Sequence, residues 1–101
     1  MNNIISSKQN DLKEICKLLK VKQLFSFGSV NTESFNDESD LDFLISFQNI
    51  DIELYAENFF IIHDKLQKLF SRKIDLITEN SLKNPFFITE IEKTKKLIYA
   101  A

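Results

Sequence analysis

Residues 40–47, Asp-Leu-Asp-Phe-Leu-Ile-Ser-Phe, constrain this chain more than any other stretch, because they alternate strictly. Successive side chains of an extended strand point to opposite sides. Leu41, Phe43, Ile45 and Phe47 therefore share one face, and Asp40, Asp42, Leu44 and Ser46 share the other. Such a strand buries its first face in a core. On the second it carries two carboxylates roughly 6–7 Å apart at their Cα atoms.

The neighbouring patterns supply the layers that such a strand needs. Ser6 and Gln9 have the spacing of a capping box, and Leu12, Ile15 and Leu19 recur at helical intervals, which predicts a helix over 7–20. Residues 21–27, Val-Lys-Gln-Leu-Phe-Ser-Phe, are rich in β-formers and stop at a glycine, so a strand is expected there. Residues 29–38 are polar and aperiodic, as in a short helix or turn. Tyr55, Phe59, Ile62, Leu66 and Leu69 step by four and three, the stripe of a long amphipathic helix. Residues 73–78 predict a third strand, with Ile74 and Leu76 facing opposite to Asp75. Asn84 as N-cap and Pro85 at the first helical position open a last helix, which Phe87, Ile91, Thr94 and Ile98 extend to the end. The expected fold is α/β (α+β), a small mixed sheet of about three strands in the order α–β–(α)–β–α–β–α, the strands joined by crossovers.

At 101 residues the chain suits a single domain spanning 1–101. Its 44% hydrophobic and 28% charged content fits a soluble globular protein rather than a disordered one. A net charge of -2 offers no general attraction to polyanions, which argues against a nucleic-acid substrate and leaves any phosphate binding to a local site. One cysteine, Cys16, cannot form an internal disulfide, and a cytoplasmic location is expected. The first residues lack the pattern of a signal peptide, and no apolar run is long enough to span a bilayer.

Two carboxylates on one strand face repel each other, and a hard divalent cation removes that penalty. Mg²⁺ prefers carboxylate oxygen together with substrate phosphate, and two such ions about 3.5–4 Å apart can clamp the attacking and leaving oxygens of a phosphoryl displacement. Asp75 adds a third carboxylate if its strand lies beside 40–47. A bare Asp-x-Asp equally decorates the solvent face of an edge strand. The chain's only glycine, Gly28, stands at the end of the preceding strand and is followed by Ser29. A glycine there permits positive φ and close approach of backbone to a ligand, and a serine hydroxyl with nearby amides suits an anion. Together the two motifs put a phosphate cradle beside a metal site.

Gly28-Ser29, nine intervening residues and then Ser39-Asp40-Leu41-Asp42 resemble the signature of the nucleotidyltransferase superfamily related to DNA polymerase β. Within it the chain is most similar to the minimal nucleotidyltransferases, the MNT proteins, and the resemblance covers nearly the whole sequence. It implies that Asp40, Asp42 and Asp75 are catalytic and bind two Mg²⁺ ions, with Asp75 also helping to deprotonate the attacking hydroxyl. It places Gly28 and Ser29 on the β- and γ-phosphates of ATP, and Ser39 in the same nucleotide-binding segment as a cap that orients the turn. It further implies adenylyl transfer to a tyrosine of a partner HEPN toxin, for which the MNT protein acts as antitoxin; the sequence leaves oligomeric state open, a homo- or hetero-oligomer included. One departure stands out. Minimal members commonly carry Arg-Gly three and four residues after the serine, where this chain has Thr32 and Glu33. The alternatives are a module that neutralises its partner by contact alone, and transfer of a nucleotide to a small molecule.

Other residues read more plainly. His63 has no second histidine or cysteine at ligand spacing and suits a surface or half-buried structural role. Cys16 suits packing, and Glu92–Lys96 the solvated face of the last helix, with Lys93, Lys95 or Lys96 as candidates to meet phosphate. Ten phenylalanines are many for a domain of this size, so Phe60, Ile61 and Phe86 are candidates for an exposed apolar patch.

Overall fold

The computed structural model describes residues 4–33 and 35–101. Strands β1 (Val21–Phe27), β2 (Leu41–Phe47), β3 (Ile74–Thr78) and β4 (Lys96–Ala100) form one sheet in the order β3-β2-β1-β4. Helices α1 (Gln9–Leu18), α2 (Ile52–Phe70) and α3 (Pro85–Thr94) pack on it, and short 3₁₀ turns occupy Ser6–Lys8, Gly28–Asn31 and Glu79–Ser81.

β2 and β3 run parallel, joined by α2 as the crossover that a parallel pair requires. β1 is antiparallel to both β2 and β4. The link from β1 to β2 is therefore no crossover: the chain leaves β1 through the 3₁₀ turn at Gly28 and returns beside it.

The sheet has four strands rather than three, because the last helix stops early. Lys95 is the C-cap of α3, with its N–H donating to Ile91 O, and the chain then extends as β4 along the free edge of β1. Ile98, expected on a helix, is a strand residue, and Lys96 leaves the helix with it. The expected capping box does not form either. α1 begins at Gln9 with Lys8 as its N-cap, and the Gln9 side chain donates instead to Ile98 O at 2.9 Å. Elsewhere the caps follow the sequence: Asp51 accepts from Leu54 N–H, and Asn84 accepts from Phe86 and Phe87 N–H ahead of Pro85.

The main core joins Leu12 and Cys16 of α1 and Ile62, Leu66 and Phe70 of α2 to Leu24, Phe43, Ile45 and Leu76 of the sheet. The buried stripe of α2 runs Asn58–Ile62–Leu66–Phe70, displaced from the predicted one, which leaves Tyr55, Phe59 and Leu69 at its margin. Asn58 is buried without penalty because its Nδ2 donates to Leu19 O at 2.8 Å. His63 is half-buried, with Nε2 3.0 Å from Ile74 O, and Cys16 lies in the core, where burial pushes its thiol up to about 12. Of the predicted patch, Phe60 and Phe86 are exposed, whereas Ile61 packs against the core. No helix among the described residues is long and apolar enough to cross a membrane.

Candidate active site

The ladders between strands decide which side chains meet. Phe27 pairs with Asp42 across the β1–β2 ladder, and Asp42 pairs with Asp75 across the β2–β3 ladder. Residues opposite one another in a sheet project from the same face. Phe27, Asp42 and Asp75 therefore form one row across the sheet, on the face covered by α3. Asp40, two residues before Asp42, falls on that face as well. The three aspartates singled out from sequence share one side of one end of the sheet.

Their charges are felt. Asp42 is half-buried, and its carboxyl is raised from 3.8 to about 6, first by burial and then by the neighbouring charges of Asp75 and Asp40. Asp40 is more exposed and lies 3.8 Å from Lys73 Nζ. Among the described residues no three acidic, histidine or cysteine side chains are gathered tightly enough to ligate one ion. The donor set nevertheless fits a hard cation, since it is all carboxylate and its central member resists ionising beside its neighbours.

Gly28 closes the row from the side. Its φ is +73°, and a Cβ placed on it would stand 2.6 Å from Asp42 Oδ2. Glycine is thus needed twice, for the left-handed backbone and for the space that the Asp42 carboxylate occupies. Its N–H is already spoken for, donating to Thr94 Oγ1 at 2.9 Å. Its contribution beside Asp42 is close approach. Ser29 follows in the same turn, half-buried, and its carbonyl accepts from the Thr32 N–H and hydroxyl.

Ser39 is bonded to Asn36 in the segment before β2. Its hydroxyl accepts from Asn36 N–H at 3.1 Å while its own N–H donates to Asn36 O, which closes the turn into β2. Arg72, which sequence reasoning overlooked, braces this turn: Nη1 donates to Asn36 O and Ser39 O, and the guanidinium lies 4.7 Å over the Phe35 ring. This guanidinium serves the 36–39 turn, a different segment from the Thr32–Glu33 positions that follow Ser29. Asn31 and Thr94 were also missed. Of the lysines, Lys93 pairs with Glu90, while Lys95 pairs with Glu92 and sits over the Phe25 ring. Lys96 lines a cavity of about 700 Å³ with Ser26, Asn31, Glu33 and Phe35, and none of the three aspartates borders that cavity.

A mixed four-stranded sheet with acidic side chains from two parallel neighbours and a glycine turn against them defines the nucleotidyl-transfer class of fold. The chain matches the nucleotidyltransferase domain family over residues 10–98 and belongs to that family. A relative from Methanocaldococcus jannaschii, named "Putative protein adenylyltransferase MJ0128", is 33% identical over 94% of this chain and 96% of its own length. Among solved structures, one named "Structure of putative minimal nucleotidyltransferase" superposes with a TM-score of 0.69 at 19% identity, covering 95% of both chains. A toxin–antitoxin crystal structure with AMP-PNP gives 0.66 at 17% identity, over 92% of this chain and 73% of that one. The Shewanella oneidensis complex of a tri-AMPylated HEPN toxin with an MNT antitoxin gives 0.62 at 15% identity, over 96% and 73%. At these identities the solved structures speak for the fold.

Proposed function

We propose that this protein is a Mg²⁺-dependent adenylyltransferase that moves AMP from ATP to a tyrosine hydroxyl of a partner HEPN toxin, and so acts as an antitoxin. The observation that carries the reading is the shared register of Asp42 and Asp75, with Gly28 pressed against the Asp42 carboxylate. The names of the relative and of the toxin–antitoxin neighbours support the chemistry and the acceptor.

Asp40, Asp42 and Asp75 would hold the metal. When bound, magnesium would withdraw charge from the α-phosphate and ease the departure of pyrophosphate. Asp75, on the exposed side of the row, would take the proton of the incoming hydroxyl. That oxygen bonds to the α-phosphorus as the α–β bridging P–O bond breaks, and pyrophosphate leaves with the electron pair. Ser29 would orient the triphosphate through its hydroxyl, and Gly28 would allow the chain to come near it. Mixing the protein with ATP, Mg²⁺ and the product of the adjacent gene should add one or more AMP units to that product, read by mass. An unmodified mass with toxicity nonetheless lost would overturn the reading.

That outcome is the signature of the second reading, neutralisation by contact. The loop after Ser29 favours it: it carries Thr32, whose hydroxyl is spent on Ser29 O, and the anionic Glu33. Asp40→Ala combined with Asp42→Ala abolishes neutralisation if transfer is required and spares it if binding suffices.

A further inference from the structure

The turn that carries Gly28 and Ser29 is held at both ends by one residue. Thr94, the last residue of α3, accepts the Gly28 N–H on its Oγ1 at 2.9 Å and the Asn31 Nδ2 on its main-chain oxygen at 2.8 Å. Asn31 Nδ2 also reaches Ser26 O and Ser26 Oγ, each at 3.0 Å, which ties the far end of the turn back to β1. Ser26 is buried and the bonds themselves are part-buried, so leaving them unmade carries a cost. Gly28 meanwhile faces Asp42 Oδ2 with no room to spare. The spacing between the glycine turn and the central carboxylate is therefore set from α3, through a bond that spans 66 positions of sequence.

We propose that Thr94 is a positioning residue for the nucleotide: its hydroxyl fixes the Gly28–Ser29 turn at the distance from Asp42 that Mg·ATP requires. The inference rests on reading that turn as the nucleotide site. It makes the end of α3 part of the binding machinery, although Thr94 itself touches neither metal nor phosphate.

The single glycine provides a direct readout, since selective ¹⁵N-glycine labelling yields one amide resonance. Thr94→Val keeps the branched shape and removes the acceptor, whereas Thr94→Ser keeps the acceptor. In Thr94→Val the Gly28 resonance should move and its amide exchange faster with solvent. Mg·ATP binding, measured by calorimetry on protein verified as folded by circular dichroism, should weaken about tenfold, the cost of one part-buried hydrogen bond. Thr94→Ser should restore both. An unmoved Gly28 resonance in Thr94→Val overturns the clamp. A released amide with wild-type Mg·ATP affinity overturns the positioning role, as does equal weakening in Thr94→Ser. If the wild-type chain takes up no Mg·ATP at all, the nucleotide reading and the positioning role fail together, and the Gly28 resonance separates that result from a failed clamp.

Discussion

Beneath α1 and α2 the sheet contributes to a cluster of fourteen buried residues, whereas the described cluster beneath α3 has three, Phe27, Leu44 and Ile91. The imbalance decides where chemistry can sit. A row containing Asp42 and Asp75 cannot be sealed under a helix without desolvating charges, so the α3 side stays thin and open at that end. The thick side supplies the stability that the thin side gives up. Phe87 shows the thin side's character: it packs edge-on against Phe27 at 6.2 Å yet remains 40% exposed.

The largest expected effect tests that division directly. Leu66→Ala, at a fully buried position of the thick side, should cost about 3–5 kcal/mol, while Leu82→Ala, at the margin of the thin side, should cost about 1 kcal/mol. Urea unfolding with an unchanged slope would measure both, and equal costs would break the comparison.

The next effect sharpens it from the charged side. The Asp42 carboxyl is raised in the folded state, so the native protein holds that proton more tightly than the unfolded chain does. Its contribution is favourable below pH 3.8 and is lost as pH rises through about 6. Asp42→Asn carries no such charge. In metal-free buffer it should be more stable than wild type at pH 7.5 by about 1 kcal/mol, a value discounted because solvent still reaches the group. The gain should fade toward pH 4. Melting curves at several pH values with a chelator present would show it, and a constant or reversed difference would contradict it.

The smallest effect lies away from both faces. α2 ends on Ser71 in the left-handed region, φ 53°, a place where glycine is usual. Ser71→Gly should stabilise the fold by about 0.5 kcal/mol, visible as a small rise in melting temperature.

Much of this architecture was legible because local pattern and tertiary role agree. The alternation of 40–47 is the period of a strand with Leu41, Phe43 and Ile45 buried on one face, and the lone glycine stands where the backbone takes positive φ. Three strands and the long helix α2 between the second and third follow from residues close in sequence, whereas the placing of Asp75 beside Asp42 rests on the parallel pairing of β2 and β3. β4 was hidden by coincidence. Phe87, Ile91, Thr94 and Ile98 keep helical spacing across the real end of α3, so periodicity runs straight through a boundary that Lys95 sets. The β-forming residues Ile98 and Tyr99 were the available signal. The Gln9 capping box lost to a strand carbonyl that sequence reasoning did not know was there. Thr94 carried no local mark, since its bonds to Gly28 and Asn31 join positions more than sixty apart, and Asn31 is local only in its bonds to Ser26.

The acids of β2 and β3 ride one β–α–β unit, and only Ser71, Arg72 and Lys73 separate its helix from its second strand. In a pleated ribbon a shift of one place reverses which way every side chain looks. A residue inserted in that tripeptide would have to be taken up as a longer connector, because a slip of β3 by one place would hand Ile74 to water, turn Asp75 toward oil, and leave Asp42 without a companion.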